Sequence, residues 1–561
     1  MKFIKNIFTY LFILIFANLS AQYFPKTAPK NLEQKAEKYA DSLYQQLSLD
    51  EKIGQLYIVA LYNNRGEEEI QKIRNLVENE KIGGLILMQE DVEKHIALLN
   101  EFQGKSKIKM MIGIDGEWGL FQRFPVAHKF PWAMTLGAIQ DNSLIYEMTS
   151  KISEDCKRMG IYWDFAPVVD VNTNPANPII GNRSFGSDVN NVIAKGLAYA
   201  QGLQDHGVLA SMKHFPGHGD TDKDSHLDLP IVSHHLERLD SIELAPFKAL
   251  MDKKIGGVMV AHLYVPALEK KKGIPATLSY NIVTNLLKNK YNYKGLVITD
   301  ALNMNAVAKK FPAGELDLKA FKAGNDLLLF SQDVPNGKAL IKKAIEKGEI
   351  SEERLAESVK KILKTKFLLN LQDLKPINPE NINEDLNNSS HAELSEKLYA
   401  NAITLLKDEK NLLPLNCNQT YYYLPLEEAP FQTLVENLNL GTTIKIISKT
   451  EIAQIPENST VIVGFHKDNS TAYKPYKISQ ESKDILSELS KKQNIILDVF
   501  GSPYALKDVD ISTISTVLVS YENNDLSLKA SAKALLGKTK ISGKLPVIVN
   551  ENLKAGKGIE K

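Results

Sequence analysis

Cysteine is nearly missing from this chain. Cys156 and Cys417 are the only two among 561 residues; they lie far apart and are read as belonging to different domains, which argues against a disulfide-stapled fold or a thiolate metal centre. Both are expected to be buried as small apolar residues. A surplus of either charge is missing as well: 68 Lys plus Arg stand against 67 Asp plus Glu. Nothing therefore points to nucleic acid or another polyanion as a partner. Long apolar runs are also lacking, and the stretch from Ile7 to Ala17 falls short of the roughly 20 residues that span a bilayer. Preceded by Lys2 and Lys5 and followed by Ser20 and Ala21, it has the layout of a signal peptide over residues 1–21. No Cys near its end offers a lipid attachment site. The expectation is an exported protein, periplasmic or secreted, with no membrane span after cleavage.

What is present is the composition of a soluble globular protein, 43% hydrophobic and 24% charged, in a chain long enough for two domains. From Ser48 to Leu369 short apolar, β-branched runs alternate with longer helical patterns. Eight such runs begin near Gly54, Gly83, Met110, Tyr162, Ala210, Gly256, Gly295 and Asn325. Repeated βα units in that number predict a (β/α)8 barrel, with an open sheet sharing the local pattern. The polar residues favour the barrel. Asp115 and Glu117, Asp170, Lys213 and His214, His262, and Thr299 and Asp300 follow successive runs, and barrel enzymes draw their active-site groups from the carboxyl ends of many strands. The expected division is a barrel over residues 30–370, a Pro- and Asn-rich linker over 371–391, and a smaller α/β sandwich domain over 392–561. The helical pattern AELSEKLYANAITLLKDEKNLLPL opens that second domain. It carries no dense cluster of catalytic residue types and is read as a packing partner.

The stretch KHFPGHGDTDKDSHLDLP, Lys213 to Pro230, holds the most chemistry. Gly217 and Gly219 would let it turn tightly. Three His and several Asp could form a zinc site, but the spacing is not that of a helix-borne zinc motif. A polar surface loop is the bland alternative. Acid/base chemistry fits better: Asp224 and His226 flank Ser225, and a carboxylate on one imidazole nitrogen leaves the other free to exchange a proton with substrate. In KGLVITDALNM the run Leu296–Ile298 delivers Asp300 to the end of the seventh strand, as a helix cap or as a catalytic anion.

Taken together, KHFPGHGDTDKDSHLDLP, GLVITDALNM, PATLS from Pro275 and NRSFGSD from Asn182 resemble family 3 of the glycoside hydrolases, and within it the bacterial β-N-acetylhexosaminidase branch. ANAITLLKDEKNLLPL and SGKLPV look like the α/β sandwich domain of two-domain members. The resemblance implies a retaining exo-β-N-acetylglucosaminidase acting on peptidoglycan fragments or chitin-type oligosaccharides, with Asp300 as nucleophile and Asp224/His226 as general acid/base. It further implies that Asp115, Arg123, Arg183, Lys213 and His214 hold the terminal sugar. No metal or organic cofactor is called for. One departure concerns the subsite: where that branch usually has Asp-Gln-Glu-Gly-Gly-Arg, this chain reads IDGEWGLFQRF, keeping Asp115, Glu117 and Arg123 but placing Trp118 and Leu120 in the loop, Trp118 to stack on a sugar or to fill the barrel mouth. The competing readings are a family 3 β-glucosidase, a phosphorylase using His226 with phosphate, and a non-catalytic sugar-binding protein. Oligomeric state is left open.

Overall fold

The computed structural model describes residues 31–89, 91–221, 229–471 and 474–561. Eight parallel strands form the first sheet: β1 Tyr57–Leu61, β2 Gly84–Leu87, β3 Met111–Ile114, β4 Trp163–Asp164, β5 Leu209–Phe215, β6 Gly257–Val260, β7 Leu296–Thr299 and β8 Leu328–Leu329. Seven fall within the apolar runs read from the sequence, and β5 begins one residue before its run, at Leu209. Their spatial order, β7-β6-β5-β4-β3-β2-β1-β8, brings β7 and β8 to the two ends of the list. The bridge Ile298↔Leu327 and the bond from Thr299 N to Leu327 O join those ends, which closes the barrel. Strands β2, β3, β6 and β7 are buried at every position. A strand covered on both faces needs continuous Val, Ile and Leu rather than alternation, and GLIL, MIGI, GVMV and LVIT supply it.

The second sheet comprises β9 Thr404–Asp408, β10 Thr420–Leu426, β11 Thr443–Ile446, β12 Thr460–His466, β13 Asn494–Phe500 and β14 Thr516–Val519, in the order β11-β10-β12-β13-β14-β9. Only β9 is antiparallel to its neighbour. Period-2 alternation splits the inward residues between two faces: Val461, Val463 and Phe465 of β12 join the large core, while Ile462 packs with Tyr423, Ile496 and Leu518. With helices on both faces the domain is an α/β sandwich. Two expectations need correction. The helical pattern opening this domain ends at Ala402, and ITLLKD continues as β9, pairing with β14. Cys156 is buried as expected, but Cys417 is exposed, in the turn before β10. Among the described residues no helix is long and apolar enough to cross a membrane.

The two sheets meet in polar contacts as well as apolar ones. Tyr476 Oη donates to Pro175 O at 2.9 Å, Tyr504 Oη donates to Asn172 O at 3.2 Å, and His128 Nε2 lies 2.7 Å from Ser395 Oγ.

Candidate active site

The carboxyl ends of the barrel strands surround a cavity of about 640 Å³, within the size range of small-molecule sites. Asp115 and Glu117 enter it from the end of β3, Arg123 from the short helical turn after them, Arg183 from the loop beyond β4, Lys213 and His214 from β5, and Asp300 from β7. Asp115, Arg123, Arg183, Lys213, His214 and Asp300, singled out from sequence, thus line one cavity. Asp224 and His226 lie outside the described residues. For Asp115, Glu117 and Asp300 the local reason is the same: a buried apolar strand ends, and the first residues released from the ladder point to the barrel mouth. Lys213 and His214 stand near the carboxyl end of β5 itself, and Arg123 and Arg183 come from short helical turns in the following loops.

The charges are paired in a definite order. Lys213 Nζ, almost fully buried, stands 2.8 Å from both Asp115 Oδ1 and Glu117 Oε1. Arg123 Nη2 donates to the other Asp115 oxygen at 2.6 Å, and Arg183 forms a two-pronged pair with Glu117 at 2.8 and 2.7 Å. Three cations therefore face two anions, which holds each long side chain in one orientation. Burial alone would raise the carboxyl pKa values, but the neighbouring cations outweigh it. Lys213 and Arg123 hold Asp115 well below the usual carboxylate range, and Arg183 with Lys213 brings Glu117 down to about 2.

His214 is oriented from behind. Its Nδ1 lies 2.7 Å from Asp170 Oδ2, and its Nε2 lies 3.3 Å from Arg183 Nη2. A guanidinium can only donate, so Nε2 accepts and the ring proton sits on Nδ1 toward Asp170. Asp170 also accepts from His218 N at 2.7 Å. Burial depresses His218 to about 4, and its Nδ1 meets Thr221 Oγ1 at 2.6 Å. Tight packing fixes the loop after β5: a Cβ on Gly219 would fall 1.9 Å from Val171 O, and Gly217 has φ +123° with Glu243 against it. Only glycine fits either place.

Asp300 is anchored through its backbone, which donates to Val260 O at 2.9 Å. The next residue is held through PATLS: His262 Nε2 donates to Ala301 O at 3.0 Å while its Nδ1 lies 2.6 Å from Thr277 Oγ1. Beneath the cluster Asp164, fully buried, accepts from Gly116 N at 2.9 Å. Burial lifts its carboxyl to about 7.

Several lining groups were not anticipated as site residues. Glu117, read from sequence as a polar strand end and as part of the family's loop pattern but not as a sugar ligand, lines the cavity, and Asp170, read only as a polar strand end, stands behind it against His214; their partners Arg183 and His214 are remote in sequence. Trp132 and Phe121 form an aromatic wall with Trp118, and Ser470 and Thr471 reach the rim from the second domain. A larger cavity, about 790 Å³, lies at the opposite end of the barrel between Tyr162, His206 and the segment 368–378; none of the paired charges above reaches it.

Comparison with known proteins points to one family. Residues 48–365 match the family model described as the glycosyl hydrolase family 3 N-terminal domain. The chain is 32% identical to β-hexosaminidase A of Pseudoalteromonas piscicida, over 85% of this chain and 91% of that protein. It is 27% identical to a β-N-acetylglucosaminidase/β-glucosidase of Cellulomonas fimi, over 69% and 70% of the respective chains. Among solved structures, the family 3 β-N-acetylglucosaminidase of Paenibacillus sp. str. FPU-7 superposes with a TM-score of 0.74 at 30% identity, covering 90% of this chain and 99% of that one.

Proposed function

This chain belongs to glycosyl hydrolase family 3, and on that footing we propose that it is an exo-acting, retaining β-N-acetylglucosaminidase. The observation that carries the reading is the convergence of Asp300 with the Asp115–Lys213–Glu117–Arg183 ion-pair cluster on one cavity at the barrel mouth. Fixed donors and acceptors of this kind suit a single pyranose, since each hydroxyl or acetamido group then has a preformed partner. The names of the similar proteins support N-acetylglucosamine as the sugar.

The proposed chemistry is a double displacement. The Asp300 carboxylate attacks the anomeric carbon as the bond to the departing oxygen breaks, and His226, protonated and held by Asp224, gives that oxygen its proton. Neutral His226 then takes a proton from water as the water attacks the glycosyl ester and releases Asp300. The acid/base assignment rests on the triplet DSH in the sequence. Most retaining glycosidases use a second carboxyl group in this role; an imidazole replaces it here. Export and action on peptidoglycan fragments or chitin-type oligosaccharides are proposed with it, as is the division into a leader (1–21), barrel (30–370), linker (371–391) and sandwich domain (392–561).

Glucoside cleavage is the second reading, favoured by the dual name of the Cellulomonas fimi relative. Rates on an aryl N-acetylglucosaminide and an aryl glucoside, each with and without phosphate, separate the cases. Preference for the N-acetylglucosaminide and release of free sugar are expected. A faster glucoside, or sugar 1-phosphate formed only with phosphate, would overturn the proposal.

A further inference from the structure

The second domain bears on the cavity through one carboxylate. Glu522, on the segment just after β14, is almost wholly buried, with 1% of its surface exposed. Its Oε1 accepts from Trp132 N at 2.8 Å and from Thr135 Oγ1 at 2.7 Å, both in the barrel. Its Oε2 accepts from Tyr399 Oη at 3.1 Å and, more distantly at 3.4 Å, from Asn524 Nδ2 and the barrel's Lys129 Nζ. Lys129 Nζ in turn sits 4.2 Å from the centroid of the Trp132 ring. A buried carboxylate with this many donors is a fixed point, because losing any of them would leave a charge poorly compensated.

Trp132 does more than join the domains. Its ring meets Trp118 edge-on, with centroids 4.3 Å apart and planes at 68°, and both line the cavity with Phe121. Trp118, with Leu120, departs from the family pattern in this loop. The two indoles pack chiefly on one another, with Phe121 against them. The backbone of Trp132, from which its ring projects, is tied to Glu522.

We infer that Glu522 is a positioning residue by which the sandwich domain sets the Trp118–Trp132 wall of the sugar-binding cavity, and so governs substrate affinity. The inference rests on the proposed reading of that cavity. Binding across an aromatic face depends on where the ring stands, whereas the reacting groups Asp300 and the ion-pair cluster are fixed by other contacts. Disturbing Glu522 therefore acts on KM more than on kcat.

The chain has three tryptophans, and the third, Trp163, is fully buried in β4, so changes in indole emission report on the wall. Glu522→Gln keeps the shape and one acceptor but removes the charge. It is expected to raise KM for an aryl N-acetylglucosaminide about tenfold, as small displacements of pocket groups do, with kcat within about twofold. Its emission should shift to the red, and the change in emission on adding N-acetylglucosamine should shrink. Thr135→Val, a milder change on the barrel side, should move both readouts the same way by less, and serves if the first variant does not fold. Tyr504→Phe cuts a different contact between the domains and should lower Tm while leaving KM and emission as in the unaltered protein. If Glu522→Gln or Thr135→Val lowers Tm with KM and emission unchanged, Glu522 only fastens the domains and the inference falls. If the unaltered protein cleaves no N-acetylglucosaminide, the functional reading fails instead, and the emission comparison still tests the wall.

Discussion

Lys213 is the ion on which the cluster turns, and replacing it with Met removes one charge while keeping most of the volume. The ammonium is 2% exposed and bridges Asp115 and Glu117 at 2.8 Å each. Removing one partner of a buried ion pair costs about 3–5 kcal/mol, because the remaining charge stays desolvated. Arg123 and Arg183 still hold one carboxylate each, which places the expected cost at the lower end, about 3 kcal/mol. With an unfolding entropy of roughly 2.1 cal/mol/K per residue, a domain the size of residues 48–365 loses about 4–5 °C in Tm.

The pH dependence sharpens the test. In the unaltered protein Glu117 is held near 2 and Asp115 lower still, beneath their unfolded values. Their stabilisation is present above pH 4–5 and is lost as pH falls through the folded pKa values. Without Lys213 the burial that opposes ionisation gains weight and both folded values rise. The gap in Tm between Lys213→Met and the parent, followed by calorimetry from pH 7.5 to 3.5, should therefore narrow on acidification. A gap at pH 7.5 below about 1.5 °C, the equivalent of about 1 kcal/mol, or one that widens as pH falls, would refute this account of the cluster.

His226→Ala should lower kcat/KM on glycosides with alkyl leaving groups by about 10²–10⁴-fold and spare aryl glycosides whose phenol departs unprotonated; equal losses in both series would count against the acid role. Asp164→Asn should alter the stability profile in the opposite sense to Lys213→Met. The carboxyl at about 7 lies above its unfolded value of roughly 3.9, so it stabilises below that value and the contribution is lost as pH rises to about 7. Relative to the parent, the Asn variant should gain in Tm between pH 4 and 7, and a constant difference across that range would show that Asp164 is ionised throughout.

The barrel was legible because its strands are buried on both faces and end in polar groups, two signals that reinforce each other at Asp115, Lys213 and Asp300. The second domain was less so. Apolar spacing continues without a break from Leu398 through Leu405 and Leu406, and only the antiparallel partner β14, more than a hundred residues on, makes β9 a strand. β10 is hard to read because TYYYLPL carries Pro425, which ordinarily argues against a central strand. In the site, Arg123 and Arg183 were found through resemblance rather than chemistry, since neither follows a strand directly. Glu522 had no signal of its own: an acidic residue in YENND reads as a surface turn, and the donors that bury it come from Lys129, Trp132, Thr135 and Tyr399.

Which atom becomes bonded to the sugar decides whether Asp300 is the nucleophile. Incubating the protein with an activated fluorinated N-acetylglucosaminide that forms the glycosyl ester faster than it is hydrolysed, then digesting it and sequencing the labelled peptide by mass spectrometry, answers this. One sugar on Asp300 in the peptide containing GLVITDALNM is the predicted result. A sugar on any other residue would contradict it.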